Sequence, residues 1–262
     1  MLQQVRHERI IQILSEKSFL SLEEATNLFQ VSPATIRRDF EELALHKSVI
    51  RIRGGVKLNQ ELDLGMTPFP LREIRYSAQK TALAQAAVAL LKPGDVIFVD
   101  GGTTTYHLGQ FMPDFGLRVI TNSLRLANIL EEKRGPKLGL EIYVTGGCLY
   151  PQSGLLLGPS ASVNLSRYHA NWAFLSAGGI NRMGIFNSNE MVVESEQAMI
   201  AHADKVVIMA DHSKIEKHSM CHICNLEKIN FLITDDWPEN KDFINELRQM
   251  NIEIILVNVG HY

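Results

Sequence analysis

Two sets of residues in this chain have the types and spacing to do chemistry. The first is the run Ser32-Pro33-Ala34-Thr35-Ile36-Arg37-Arg38. Adjacent guanidinium groups behind a hydroxyl-bearing turn can donate to base edges and phosphate oxygens. The second set follows apolar runs further along: Asp100-Gly101-Gly102-Thr103-Thr104-Thr105, Thr121-Asn122-Ser123, Thr145-Gly146-Gly147, Ser176-Ala177-Gly178-Gly179-Ile180-Asn181 and Asp211-His212-Ser213-Lys214. Glycines let backbone amides approach an anion, hydroxyls add donors, and a helix start adds partial positive charge. That chemistry suits a phosphate. One such loop alone is equally an ordinary strand-to-helix turn; their recurrence is what favours a ligand. Neither the G-x-G-x-x-G of a dinucleotide fold nor a Walker A loop is present.

The arginine pair needs a helix to carry it and a scaffold to present it. Ile36, Phe40 and Leu43 recur at helical steps and form one apolar stripe, with Thr35, Arg37 and Arg38 pointing elsewhere. Ser32 is placed to accept from first-turn amides, and Pro33 suits the first helical position. Upstream, Ser21-Leu22-Glu23-Glu24 is a capping box that opens a helix with Ala25, Leu28 and Phe29 on its buried face. Gln30-Val31 is then the whole connection, which predicts a helix-turn-helix. Residues 3–17 predict a preceding helix, with Val5, Ile10, Ile11, Ile13 and Leu14 apolar and Arg6 and Arg9 on the polar side. Val49-Ile50-Arg51-Ile52-Arg53-Gly54-Gly55-Val56-Lys57-Leu58 predicts a hairpin wing around a Gly-Gly turn, period two placing Arg51 and Arg53 on one face. A lone arginine pair on an amphipathic helix is more often a solvated face; this context favours DNA.

The loops of the second set need a sheet. From residue 77 onward apolar runs alternate with helical ones: helix 78–91, strand 96–99, strand 118–120, helix 124–130, strand 141–144, strand 172–175, helix 191–202, strand 206–209, strand 231–234, helix 241–250 and strand 252–257. This pattern predicts an α/β domain with a largely parallel sheet, in which ligands bind at the carboxyl ends of strands.

The 262 residues carry 45% apolar residues, enough for a large domain and a small one. Net charge is −3, but residues 1–57 hold nine Lys and Arg against seven Asp and Glu, leaving seventeen against twenty-two elsewhere. A mildly basic module thus precedes an acidic body. No run of 18 apolar residues and no signal-like N-terminus occur, so a soluble, cytoplasmic protein without membrane contact is expected. Three cysteines do not suggest a disulfide framework. Cys221-His222-Ile223-Cys224, near His212 and His218, has a spacing that zinc accepts, but a second ligand pair is missing and the run fits a short strand. No metal or cofactor is expected, and Trp172 and Trp237 read as packing residues.

Residues Val31–Phe40, Leu43 and Arg51-Ile52-Arg53-Gly54-Gly55-Val56 resemble the N-terminal signature of DeoR-type bacterial transcription regulators. The resemblance extends over nearly all of 77–257 through Lys80, Asp100–Thr105, Thr121–Ser123, Gly146-Gly147, Gly178–Ile180, Gly184, Glu194 and Asp211–Lys214. Two positions depart: Lys47 stands where the family has glycine, and Arg53 where it has histidine. Members repress genes of sugar uptake and catabolism, and their C-terminal domain belongs to a superfold shared with ribose-5-phosphate isomerase and coenzyme A transferases. The resemblance implies that Gly102–Thr105 cradle a phosphate, that Lys214 reaches the ligand, and that Asn122, Gly178 and Gly179 line a sugar pocket. It also assigns an aromatic and an arginine to Phe69 and Arg72, so that part of a linker docks on the body.

The expected architecture is therefore a winged helix-turn-helix DNA-binding domain (1–58), a linker (59–76) and a sugar-phosphate sensor domain of that superfold (77–257). Ser32, Thr35, Arg37, Arg38, Arg51 and Arg53 are the expected DNA contacts. Lys80, Asp100, Gly101, Gly102, Thr103, Thr104, Thr105, Asn122, Ser123, Gly147, Gly178, Gly179, Asp211 and Lys214 are the expected effector site, with Asn181, Phe186 and His212 tuning specificity. The expected function is regulation, as a repressor of a carbohydrate operon, by a homodimer or homotetramer that binds double-stranded operator DNA and a phosphorylated or similarly anionic sugar. The alternative is an enzyme of the isomerase or transferase type with a nucleic-acid-binding module. An isomerase needs a carboxylate base, and the loop Ser176-Ala177-Gly178-Gly179 has none. A transferase needs a nucleophilic glutamate, for which Glu190, Glu194 and Glu196 remain open by spacing. A third reading gives the helix-turn-helix protein contacts only.

Overall fold

The computed structural model describes residues 2–17, 19–45, 48–59, 69–133, 139–150 and 153–259. The chain divides into two compact units, one ending at Ser77 and the other starting at Ala78.

In the first unit, α1 (Gln3–Glu16) is followed by β1 (Leu20–Ser21), α2 (Leu22–Phe29), α3 (Pro33–Leu45), β2 (Val49–Ile52), β3 (Gly55–Leu58) and α4 (Phe69–Ile74). Ile10, Ile11 and Leu14 of α1, Ala25 and Phe29 of α2, and Ile36, Phe40 and Leu43 of α3 meet in one core, closed by Leu20, Val49, Val56 and Leu58 of the strands. Ser21 caps α2 as expected, its Oγ accepting from Glu24 N at 3.0 Å. Leu28, expected in the core, is exposed, because it lies about 100° around the helix from Phe29 and off the stripe. α2 stops at Gln30, which takes a left-handed conformation (φ 52°).

The wing differs from its expected form by one residue. Ile52 pairs with Gly55, so the turn is Arg53-Gly54 and only Gly54 has positive φ (87°). Gly55 lies within β3, where β1 crosses so closely that a Cβ would sit 2.1 Å from Leu20 O. The wing is thus a three-stranded sheet in the order β1-β3-β2. Lys47 and residues 60–68 of the expected linker lie outside the described residues. The described part, α4, is helical and packs on α1, with Leu71 and Ile74 against the first unit's core.

The second unit runs α5 (Ser77–Val88), β4 (Val96–Val99), α6 (Thr103–Tyr106), α7 (Leu108–Phe111), β5 (Leu117–Thr121), α8 (Leu124–Lys133), β6 (Leu140–Val144), β7 (Cys148–Tyr150), β8 (Leu155–Leu157), α9 (Pro159–Leu165), β9 (Ala170–Ser176), β10 (Gly179–Asn181), β11 (Gly184–Asn187), α10 (Glu190–Ala201), β12 (Ala203–Met209), β13 (Cys221–Cys224), β14 (Phe231–Asp235), α11 (Lys241–Gln249) and β15 (Glu253–Val257). Seven parallel strands form the main sheet in the order β15-β14-β12-β9-β4-β5-β6. Two apolar layers cover it, one containing Phe98, Leu175 and Phe243, the other Val99, Phe174 and Ile233. From β4 the chain proceeds outward to β5 and β6, and from β9 it proceeds the opposite way to β12, β14 and β15. The gap between β4 and β9 is therefore the switch point, where an open parallel sheet leaves a crevice at its carboxyl edge. The hairpin β7–β8 and the strands β10 and β11 are additions that strand periodicity did not signal, whereas β13, which pairs with β11, is the short strand expected at Cys221–Cys224.

Candidate nucleic-acid interface and ligand site

On α3 the residues sort as their spacing requires. Ser32 Oγ accepts from Thr35 N at 3.2 Å and lies 2.9 Å from the Thr35 hydroxyl, so the two hydroxyls close the first turn together. Ile36, Phe40 and Leu43 are buried, whereas Arg37 and Arg38 are exposed. A helix anchored along one stripe, with two arginines on the other side, has the form that enters a major groove. Arg51 also lies exposed, its Nη1 3.1 Å from Glu41 Oε1 of α3, a half-exposed pair that contributes little stability but links wing and helix. Arg53 occupies the turn instead of alternating with Arg51 along a strand, and is exposed at the wing tip.

Periodicity missed Asp39. It is 1% exposed, within the apolar stripe, and its carboxylate takes Arg6 Nε at 2.7 Å and Arg6 Nη2 at 3.0 Å, with His7 Nε2 at 3.2 Å. Arg6, expected on the polar side of α1, is correspondingly buried; the bond to Asp39 raises its pKa further above the ordinary arginine value. An acidic residue falling on an apolar stripe was the available signal, because a buried charge requires a partner.

At the carboxyl edge of the main sheet, the loop after β4 is built around Asp100. Its Oδ1 accepts from Gly102 N at 3.1 Å and from the Thr105 hydroxyl, and its Oδ2 accepts from Ser176 N at 3.0 Å and Ser176 Oγ at 2.9 Å. Asp100 at the end of β4 thus bonds across the switch point to the end of β9. The two glycines are imposed by this closeness. A Cβ at Gly101 would sit 1.8 Å from Leu155 Cδ2, and one at Gly102 would sit 1.9 Å from Ser176 Oγ. Thr103 and Thr104 are buried in the first turn of α6, while Thr105 turns inward to Asp100.

The loop after β5 adjoins it, Ser123 Cβ lying 3.2 Å from the position of a Gly101 Cβ. Asn122 is 2% exposed, and its Oδ1 has no hydrogen-bond partner among the described residues. Ser123 Oγ accepts from Leu126 N at 3.2 Å and so caps α8. Beyond β9, Asp211 caps a short 3₁₀ turn, its Oδ1 accepting from Ser213 N at 3.0 Å. Lys214 ends that turn half-buried, and burial pulls its ammonium down to about 8. Lys80 is buried on α5.

The other expected residues have structural reasons to be what they are. Gly147 (φ 117°) is exposed, and a Cβ there would meet Leu157 O at 2.7 Å. Gly178 N donates to Phe186 O at 2.7 Å, and Gly179 passes within 2.7 Å (Cβ position) of Lys217 O. Asn181 is engaged within the β10–β11 turn, accepting from Met183 N at 2.8 Å and donating to Lys217 O at 3.1 Å. Phe186 meets His222 edge-on. His212 is held between Asp235, whose Oδ2 lies 2.5 Å from Nδ1, and the Trp237 ring, stacked at 4.1 Å. Trp172 packs in the core against Phe174.

Two features escaped the sequence reading, Asn187 and the placement of Glu196, while Ser176, read only as part of its loop, proves to bond Asp100. Glu190 and Glu194 are exposed, but Glu196 is buried beside Asp100, with Oε1 accepting from Asn187 Nδ2 at 2.7 Å. Burial, then the Asp100 charge, keep its carboxyl well above the usual carboxylate range, against the opposing pull of the Asn187 amide. Cys221 and Cys224 lie in β13, as a strand, and the Cys224 thiol is pushed up to about 12 by burial and then by Glu196, which opposes thiolate ligation. Among the described residues, no group of three or more His, Cys, Asp and Glu is placed to hold a metal, and no helix is long and apolar enough to cross a membrane.

Residues 6–61 match the family model described as a DeoR-like helix-turn-helix domain, and residues 75–236 the DeoR C terminal sensor domain. The chain is 34% identical over 231 residues to the HTH-type transcriptional regulator YulB of Bacillus subtilis, covering 88% of each chain. It is 32% identical over 255 residues to the HTH-type transcriptional repressor CsqR of Escherichia coli, covering 96% of this chain and 94% of that one. To the HTH-type transcriptional repressor GlcR of Bacillus subtilis it is 32% identical over 256 residues, covering 98% and 97%. Among solved structures, ribose 5-phosphate isomerase A of Methanocaldococcus jannaschii is distantly similar, with TM-score 0.38 and 17% identity over 52% of this chain and 53% of that one.

Proposed function

The chain belongs to the DeoR family of transcriptional regulators, with a helix-turn-helix followed by a sensor domain, and from that premise we propose that it is a repressor whose hold on operator DNA is released by a phosphorylated sugar. The observation that carries the reading is the loop Asp100–Thr105 braced across the β4/β9 switch point, beside the unbonded Asn122 Oδ1. The amides that follow Gly102, at the start of α6, meet the phosphate, Lys214 supplies positive charge, and Asn122 Oδ1 accepts from a sugar hydroxyl. Thr103 and Thr104 add hydroxyl donors from the same turn. Lys80 and Asp211 shape the lysine side of the pocket. Gly101, Gly147, Gly178 and Gly179 serve it through backbone shape, in keeping with their close contacts, and Ser123 by capping α8 through its hydroxyl.

On the DNA side, Arg37 and Arg38 read the major groove, with Ser32 and Thr35 at the entering end of the helix. Arg51 and Arg53 hold the flanking backbone. A single winged head reaches few base pairs, so a homodimer or homotetramer on a repeated or palindromic site gives the specificity, in the cytoplasm where the DNA is. The sugar regulates only by favouring one arrangement of the heads over another. Repression is favoured over activation by the printed roles of the CsqR and GlcR relatives.

The test is binding of the purified chain to its own upstream DNA, titrated with a panel of phosphorylated sugars and with each compound assayed afterwards. One compound weakens DNA binding and is recovered unchanged. A panel that leaves DNA affinity untouched, or a compound that is converted, overturns the reading.

A further inference from the structure

Glu196 has no role in the site as derived so far, yet its surroundings are specific. It is 1% exposed, its Oε1 accepts from Asn187 Nδ2 at 2.7 Å, and its carboxyl group is also hydrogen-bonded to Asp100. Beside it stands Asp100, whose two oxygens already take Gly102 N, the Thr105 hydroxyl, Ser176 N and Ser176 Oγ. Asp100 is the acceptor in all four of those bonds, and a hydrogen bond between two adjacent buried carboxyl groups needs a proton on one of them. The proton of the pair therefore sits on Glu196, in keeping with its raised pKa.

We propose that Glu196 is a positioning residue for the anion site: as the neutral neighbour of Asp100 it leaves that carboxyl group free to accept from Gly102, Thr105 and Ser176 across the switch point, which holds Gly102–Thr105 in the geometry that takes a phosphate. The inference rests on the effector reading above. Ionisation of Glu196 sets a second negative charge against Asp100 and toward an arriving anion, so ionised Glu196 and bound phosphate oppose each other.

The groups that face Glu196 are Asp100 from the β4 loop, the Asn187 amide from β11 and the Cys224 thiol from β13, which is pushed up to about 12 and stays neutral near physiological pH. The other elements packed on α10 bring no competing charge: α9, β8 and β9 contain no titratable side chain, His222 of β13 is exposed, and Asp204 and Lys205 are exposed at the start of β12.

Sulfate serves as the probe, because its charge is constant between pH 6 and 9.5 while it presents phosphate-like oxygens. Its binding to the full chain is measured by calorimetry across that range for wild type, Glu196→Gln, Glu196→Ala and Lys214→Met. At the acid end, wild type and E196Q bind alike, since the amide reproduces a neutral carboxyl. As pH rises wild type weakens more steeply than E196Q, which retains only the decline common to both through Lys214. E196A binds about tenfold more weakly throughout, as loss of one supporting hydrogen bond implies. Identical pH profiles for wild type and E196Q overturn the proposal, because a purely structural glutamate leaves the profile unchanged. Sulfate binding that K214M does not weaken, or that wild type lacks, overturns the effector reading and this proposal with it, whereas a K214M effect with equal E196Q and wild-type profiles overturns this proposal alone.

Discussion

Asp39→Asn should be among the most damaging single substitutions available to the DNA-reading unit, although it touches neither arginine expected on DNA. The Asp39 carboxylate holds Arg6 through two bonds, at 2.7 and 3.0 Å, and both side chains are almost wholly buried. Removing one charge takes the paired carboxylate away from the buried Arg6 guanidinium, and breaking a buried ion pair in this way costs roughly 3–5 kcal/mol. Domains are stable by only about 0.05–0.15 kcal/mol per residue, so a unit ending at Ser77 loses roughly a quarter or more of its stability. Urea unfolding followed by far-ultraviolet circular dichroism should show an early transition in the variant. Tryptophan fluorescence should not, because both tryptophans, Trp172 and Trp237, belong to the second unit. Operator affinity should fall in parallel with the early transition. Replacing both partners by apolar residues (Arg6→Met with Asp39→Leu) should restore most of the loss, since the desolvation penalty disappears with the charges. A D39N protein within about 1 kcal/mol of wild type would refute the reasoning.

Arg37→Ala and Arg38→Ala should weaken operator binding, and each arginine that neutralises a phosphate should lower the slope of log affinity against log salt by about 0.9; unchanged affinity and slope in both variants remove this helix from the interface. Lys214 loses its proton as pH rises through about 8, so the charged form that attracts an anion predominates at pH 7 and is scarce at pH 9. Effector-driven release of DNA should therefore weaken across that interval, and Lys214→Arg should flatten the decline; a pH-independent response in wild type argues against contact between Lys214 and the effector. Gly55→Ala places a Cβ 2.1 Å from Leu20 O, a backbone atom that can move only with its strand. Thermal unfolding of the first unit should shift down by several degrees, and an unshifted transition would mean that β1 does not lie across the wing.

What the sequence determined by itself is what short-range spacing encodes. The Ser32 cap, the Ile36-Phe40-Leu43 stripe and the exposure of Arg37 and Arg38 all follow from steps of three and four residues along one helix. The strands of the main sheet were legible for the same reason, as continuous apolar runs buried on both faces, and the small and hydroxyl residues after them fall at its carboxyl edge. Where one residue of register mattered, spacing was insufficient: the turn is Arg53-Gly54, which takes Arg53 out of the strand alternation, because Gly55 is claimed by β1. Tertiary structure alone decided the pairs that lie far apart in the chain. Arg6 looks solvated when read locally, and it and Asp39, separated by 33 residues, are buried because each neutralises the other. Glu196 appeared as one of several helical acids until folding placed it against Asp100, and Asp100 against Ser176, 76 residues away. The physical reason is the same in each case: local sequence sets which way a side chain points, but whether a charge can be buried there depends on the counter-charge or hydrogen-bond donor that a distant segment brings to meet it.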